Sequence, residues 1–195
     1  MLSDKIWITR KARIYSEKRL QRKAILSQII ITWYSFLFIS LSIVNLAYKS
    51  QKVGILLIVG SIAVVISSIL LTSRKFIDRS LAMRNCYIRL DELFAKVKNA
   101  EELQDHKLIQ QIESEYATLL LNVENHTDYD YFCLRYSLRS NEKTTLPKFT
   151  KLDSVIFYCE KFWRFMVIAF CFVWPILIFY LWDLIISYVS IYILQ

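Results

Sequence analysis

The sequence predicts an all-α membrane protein that consists of an N-terminal two-span helical hairpin, a cytoplasmic helical stalk and a C-terminal third hydrophobic helix. Three observations support this class. The 195 residues are 55% hydrophobic, which is too apolar for an ordinary soluble domain of this length. The chain has only two glycines and two prolines, so it has little turn chemistry for a β-rich fold. Two apolar runs near the N-terminus each approach the ~20 residues that a helix needs to cross a bilayer.

The predicted two-transmembrane hairpin occupies residues 24–72. Its apolar runs extend from Ala24 to Ala47 and from Val53 to Leu71, and the short link 48–52 joins them. Helices satisfy their own backbone hydrogen bonds inside lipid, where water is absent. Because the link is so short, the two helices are expected to be antiparallel.

Residues 1–23 form a basic, amphipathic segment that we expect on the cytoplasmic side of the membrane. It carries eight lysines and arginines against Asp4 and Glu17. This segment either lies as a helix on the anionic leaflet or is a solvated flank of the first span. From Ser73 to Arg164, fifteen basic residues nearly balance fourteen acidic ones. The net charge of +8 is therefore explained by contact with the lipid bilayer, and no direct nucleic-acid partner is expected.

The polar residues of the first span share one helical sector. They are Gln28, Thr32, Ser35 and Ser42, at spacings i, i+4, i+7 and i+14. Either they hydrogen-bond a neighbouring helix, or they line a water-filled path in a homo-oligomer. The second span has a face of small residues, Gly60, Ala63 and Ser67, that suits close helix contact within the chain or between copies.

Residues 73–134 are predicted to form a cytoplasmic pair of amphipathic helices, from about Phe76 to Lys98 and from about Ala100 to Val123. A polar stretch follows the second helix. Its chemistry-bearing residues are Glu124, Asn125, His126, Asp128, Asp130 and Tyr131. These side chains form a cap and turn, or bind a cation or ligand, or perform acid–base chemistry. We assign them to signal reception.

The C-terminal region divides into a loop with an interfacial segment, residues 135–164, and a third transmembrane segment with a tail, residues 165–195. Pro175 lies within the apolar run. Asp183 is either buried in the membrane or placed at its far interface, and the aromatic residues around it favour the interface.

The sequence gives no catalytic or metal-binding signature, and we expect neither an enzyme nor a bound cofactor. The four cysteines are widely scattered, and His106 has no partner for a metal pair. There is no Gly-rich phosphate loop, which argues against an ATP-driven pump. A small enzyme that uses His126 with Asp128 or Asp130 is a minor alternative.

Several stretches resemble the SLATT superfamily of bacterial two-transmembrane effectors, named as SMODS and SLOG-associating. The stretches in the first helix are Ile8 to Arg13, Glu17 to Leu20, Leu26 to Gln28 and Trp33 to Ser35. Glu124-Asn125-His126 together with Asp130-Tyr131 is similar to the cytoplasmic motif of the fifth class. The third apolar segment departs from the two-span core of that superfamily.

The resemblance implies a membrane effector of antiphage defence that perforates or depolarises the inner membrane and stops the infected cell. Its implied partner is a cytoplasmic sensor, either a nucleotide-second-messenger synthase or a reverse transcriptase. The polar stripe and the small-residue face are parts from which a gated homo-oligomer could be built. The alternative is a membrane scaffold that anchors a cytoplasmic partner and conducts nothing.

Overall fold

The computed structural model describes residues 1–121, 123–139, 147 and 149–193, with the backbone alone at 48, 178, 179 and 181–193. These residues confirm the all-α class. The helices are α1 (Leu2–Tyr48), α2 (Gln51–Ser73), α3 (Phe76–Glu102), α4 (His106–Leu121), α5 (Asp128–Ser137) and α6 (Lys151–Ile193). They divide into two compact units. The bundle unit comprises residues 1–28 and the described part of 65–150, and the span unit comprises residues 29–64 and α6.

Helix α1 joins the basic segment and the first span in one uninterrupted helix of 47 residues. Residues 1–48 contain no glycine or proline, so no residue type in this range would end a helix at the predicted boundary between 23 and 24. At ~1.5 Å per residue, α1 is about 70 Å long, more than twice the thickness of a bilayer's hydrocarbon core.

The basic N-terminal segment is helical, and one face of it packs inside the bundle unit. Ile6, Arg13 and Leu20 recur at seven-residue intervals, so they share one face of α1, and each is at most 1% exposed. Ala12 and Ser16 are also buried. Burying the apolar side chains of this face against other helices removes them from water, which stabilises the bundle unit.

The core of the bundle unit lies between α1, α3 and α4. Its buried members are Ile6, Cys86, Leu90, Leu93, Val97, Ala100 and Ile112. Helix α4 begins at His106, later than the sequence indicated, because Asp105 caps it. The Asp105 carboxylate accepts hydrogen bonds from the backbone N–H groups of Lys107 and Leu108, both at 3.1 Å. Gln104, with φ of 54°, makes the turn between the two helices.

Helices α2 and α3 are separated by a break at Arg74 and Lys75. Residues 72–75 contain no glycine or proline, so the sequence shows no residue type that commonly ends a helix here. Lys75 instead adopts a left-handed conformation, with φ of 48° and ψ of 41°. This conformation is unfavourable for a residue with a Cβ atom, so Lys75 marks a strained junction.

In the span unit, α1 contacts α2 and α6. The ring of Phe38 lies against Gly60 so closely that an added Cβ would overlap it. The Tyr34 hydroxyl donates a hydrogen bond to the Cys171 carbonyl at 3.0 Å, and the rings of Trp33 and Phe172 are 5.8 Å apart. The contacts of Tyr34 and Trp33 with α6 bring together residues that are more than a hundred positions apart in the sequence.

Two stretches of the described residues, Leu2–Ala47 and Gln51–Glu102, are long and apolar enough to cross a membrane. Helix α6 is continuous from Lys151 to Ile193, whereas the sequence divided this region into an interfacial segment and a span. Pro175 lies inside α6, a position that membrane helices tolerate. The side chain of Asp183 lies outside the described residues.

Candidate functional site

The polar stretch after α4 forms a loop that ends in the N-terminus of α5. Thr127 is the residue before the first turn, with φ of −86° and ψ of 159°. Its N–H and its hydroxyl donate hydrogen bonds to the Asp130 carboxylate at 3.0 and 2.8 Å. This arrangement matches the capping interpretation of the stretch, with the acid three residues after the cap.

Asp130 is the central acceptor of this region and is only 1% exposed. Arg19 donates to both of its carboxylate oxygens, through Nε at 2.8 Å and a terminal nitrogen at 3.1 Å. The Ser16 hydroxyl donates to the same carboxylate at 2.8 Å. Burial by itself raises the pKa of Asp130, but hydrogen bonds from Arg19, Thr127 and Ser16 outweigh it and hold that pKa below 3.8. Asp130 therefore remains charged at neutral pH.

Arg13 is a buried cation on the same helix as Arg19, with 1% of its surface exposed. One terminal nitrogen donates to the Glu124 backbone carbonyl and lies 3.3 Å from the Met83 sulfur. Its Nε has no hydrogen-bond partner among the described residues. The Glu124 carboxylate accepts two hydrogen bonds from Arg79 of α3, each at 2.9 Å. Glu124 thereby ties the loop to both α1 and α3.

His126 sits between these two groups of contacts. Its Nδ1 atom is buried and has no hydrogen-bond partner in the part of the chain that is described. Its ring centroid is 6.4 Å from that of Tyr131. Burial and the charge of Arg13 lower the pKa of His126, and the nearby Asp130 and Asp128 only partly offset them. His126 is therefore a neutral imidazole at neutral pH.

We call this set of residues the polar cluster. Its members are Arg13, Ser16, Arg19, Arg79, Glu124, His126, Thr127 and Asp130. The cluster holds the loop and the start of α5 against α1 and α3 through charge-assisted hydrogen bonds, which are the stronger kind. Among the described residues, no group of three or more His, Cys, Asp or Glu side chains could hold a metal ion.

Three of the six residues assigned to signal reception belong to the cluster: Glu124, His126 and Asp130. Tyr131 packs against His126, whereas Asn125 and Asp128 are exposed. Sequence reasoning did not assign Arg13, Ser16, Arg19 or Arg79 to this site. The seven-residue spacing of Ile6, Arg13 and Leu20 could have indicated that Arg13 is buried and needs acceptors.

The polar stripe of the first span faces outward over most of its length. Gln28, Thr32 and Ser42 are exposed and Ser35 is half-buried. The Ser42 hydroxyl donates to the Phe38 carbonyl of its own helix at 2.7 Å. The described residues provide no side-chain hydrogen bond for the other three.

Only part of the small-residue face of the second span is covered within the chain. Gly60 is half-buried against Phe38, and Leu57 beside it is buried. Ala63 and Ser67 are exposed. The contact with α1 within one chain therefore uses Gly60 and leaves Ala63 and Ser67 free of it.

These features define an all-α protein with two helical stretches long and apolar enough to cross a membrane and a helical bundle held by a partly buried polar cluster. The family model for "SMODS and SLOG-associating 2TM effector domain family 5" matches residues 1–193. The chain belongs to this family of two-transmembrane effector domains, which confirms the resemblance drawn from its motifs. No curated protein and no solved structure matches the chain.

Proposed function

We propose that this protein is a membrane effector of bacterial antiphage defence that assembles into a homo-oligomer and perforates or depolarises the inner membrane. The observation that carries this proposal is the outward position of the polar stripe on the first span. Gln28, Thr32 and Ser42 expose polar groups on a helix that is apolar enough to cross a bilayer. In lipid such groups are costly unless they face another helix or water.

Self-association removes that cost in two ways. Neighbouring copies provide hydrogen-bond partners for the stripe, or several copies surround a water-filled path that the stripe lines. The exposed Ala63 and Ser67 on α2 offer a surface on which a second helix can approach closely. A ring of more than two identical copies uses two different surfaces of each chain, and the stripe on α1 and the small residues on α2 are two such surfaces.

The polar cluster is the part of the proposed effector that receives the signal. It joins the loop 124–127 to α1, and α1 carries both Arg19 of the cluster and the polar stripe on one unbroken helix. Displacing the loop together with the start of α5 would remove the hydrogen bonds of Arg13 to Glu124 and of Arg19 to Asp130 and free the N-terminal part of α1 to move. A cytoplasmic sensor, either a nucleotide-second-messenger synthase or a reverse transcriptase, is the proposed source of the signal.

The proposed topology places the N-terminus and the bundle unit in the cytoplasm. The basic residues of 1–23 favour this orientation. Helix α6 is proposed as a third span. Its described side chains between Phe165 and Tyr180 are largely apolar, and Phe165, Phe170 and Tyr180 are each more than 55% exposed. Exposed apolar surface of this kind is expected to face lipid.

The test is a leak assay in bacteria that produce the protein with its sensor, or at high level without it. Membrane potential and dye entry are compared between the parent and a variant with Gln28→Leu and Thr32→Val, the two exposed stripe residues whose side chains have no hydrogen bond among the described residues. These changes keep side-chain size roughly constant and remove the polar groups. We expect rapid depolarisation by the parent and at least a tenfold slower leak from the variant.

The matched control carries Ser61→Ala and Thr72→Val, which remove hydroxyls that bond only to the carbonyls of Ile58 and Ser68 in their own helix. It should leak like the parent at equal membrane levels. Equal leak from the stripe variant would overturn the assignment of the stripe to the conducting path. Absence of leak from the parent with its sensor present would favour the non-conducting scaffold.

A further inference from the structure

The loop before α5 is held against its neighbours by hydrogen bonds that do not include the Nδ1 atom of His126 among the described residues. Asp130 accepts from Arg19, Ser16 and Thr127, and Glu124 accepts from Arg79. His126 lies within the same loop, yet its buried Nδ1 is bonded to nothing in the described residues. A buried polar atom without a partner is costly, and it becomes more costly if it acquires a charge.

The charged groups around His126 come from the elements packed against it. Helix α1 contributes Arg13, whose positive charge acts directly on the imidazole. Helix α5 contributes Asp128 and Asp130, together with the neutral ring of Tyr131. Arg79 of helix α3 is paired with Glu124, which precedes His126 by two residues in the same loop. The negative charge of Asp130 is already engaged by Arg19, and the exposed Asp128 is screened by water.

We propose that protonation of His126 releases the loop 124–127 from α1, which makes the closure of the polar cluster sensitive to acidification of the cytoplasm. A proton from water binds to Nδ1 or Nε2 and converts the imidazole to imidazolium beside Arg13. The resulting like-charge repulsion, added to the burial of a charged ring, favours the state in which the ring is exposed to water.

The direction of the effect follows from the two states of the loop. In the released loop His126 has its ordinary pKa near 6.5, and in the closed loop burial and Arg13 hold the pKa below that value. The closed state of the loop therefore has its full stability above pH ~6.5. That stability falls as the pH drops from there toward the pKa that His126 has in the closed state. Each unit of difference between the two pKa values changes the closing equilibrium by about tenfold.

The consequence for activity rests on the function proposed above. If the oligomer depolarises the membrane, entering protons would acidify the cytoplasm and release the loop in further copies. The leak would then reinforce itself once it had started. The protonation step itself does not depend on conduction and is tested without it.

The experiment uses the full chain in lipid nanodiscs and measures backbone hydrogen exchange by mass spectrometry at pH 7.5 and pH 5.5, corrected for the intrinsic pH dependence of exchange. In the parent, we expect protection in peptides that cover residues 123–131 to fall several-fold at the lower pH. In His126→Gln, which cannot be protonated, protection should be equal at both pH values. His106→Gln is the matched control because His106 is exposed at the start of α4, and it should behave like the parent.

Equal protection of the parent at both pH values would overturn the proposal, as would an undiminished fall in His126→Gln. If His126→Gln does not fold, the NMR titration of the His126 ring in the parent decides instead. The proposal is supported if the His126 ring titrates with a pKa below 6.5 and a resonance from the loop 124–127 shifts over the same pH range. A His126 pKa at or above 6.5 refutes it. A protonation response without any membrane leak would uphold this inference and reject the proposed function.

Discussion

Replacing Asp130 with asparagine removes the negative charge on which the polar cluster is built. The side chain keeps its shape, but one oxygen acceptor becomes an N–H donor that faces Arg19 or Ser16. Arg19 is 11% exposed, so its charge would lose its partner while remaining mostly buried. Breaking a buried pair by removing one member costs about 3–5 kcal/mol, and hydrogen bonds to charged groups contribute about 1.5–3 kcal/mol each.

We expect Asp130→Asn to lower the free energy of unfolding of the bundle unit by about 2–4 kcal/mol, since the remaining exposure of Arg19 allows some solvation. The assay is urea unfolding of the full chain in nanodiscs, followed by circular dichroism. Asp91→Asn is the matched control. It makes the same chemical change in the pair with Arg10, where the Asp91 side chain is 64% exposed, and should cost less than about 1 kcal/mol.

The pH dependence gives a second readout of the same pair. The folded-state pKa of Asp130 lies below 3.8, so its contribution to stability is present above that pH and is lost as the pH falls through the folded-state pKa. The asparagine variant should lack this acid-range loss. Equal costs for Asp130→Asn and Asp91→Asn, or an unchanged acid transition in the variant, would refute the reasoning.

Two further predictions concern backbone and packing. Gly60→Ala should destabilise the span unit by about 1–3 kcal/mol in detergent unfolding, because the new methyl group would overlap the Phe38 ring. Gly54→Ala should cost less, since its nearest neighbour, the Asn45 amide nitrogen, would be 3.3 Å away, and equal costs would count against the Phe38 contact. Lys75→Gly should leave the urea stability of the bundle unit unchanged or raise it by up to about 1 kcal/mol, because glycine adopts the left-handed conformation without strain. Ser73→Gly is the control and should lower that stability, because Ser73 is the last residue of α2 and glycine is unfavourable in a helix. A loss of stability in Lys75→Gly would contradict the argument that Lys75 is strained.

The polar cluster accounts for part of the positive charge in the first 23 residues. Some of these basic side chains pair with acceptors inside the bundle unit, and others stay exposed. Arg13 and Arg19 point into the bundle unit and meet Glu124 and Asp130 there. Lys18, Arg22 and Lys23 remain exposed on the same stretch of α1. One segment thus provides both buried partners for the loop and exposed charge that suits an anionic membrane surface.

The helical class and the spanning stretches could be read from the sequence because they depend on local properties. Long apolar runs with few breakers determine where helices cross lipid, and helical periodicity determines which face of α3 and α4 is apolar. The cap at the start of α5 was also readable, because Thr127 and Asp130 are only three residues apart. The continuity of α1 across residue 23 could have been inferred from the absence of glycine and proline.

The composition of the polar cluster was decided by the tertiary structure. The Arg19–Asp130 pair joins residues 111 positions apart, and Arg79 and Glu124 are 45 apart. Periodicity shows that Arg13 and Leu20 share a face, but it does not identify the helix on which that face packs. The sequence by itself determined which side chains are available for burial and which are charged, because these are properties of single residues and their near neighbours. Only the packing of α1 against α3 and α5 decided which charges meet, because that depends on contacts between distant segments.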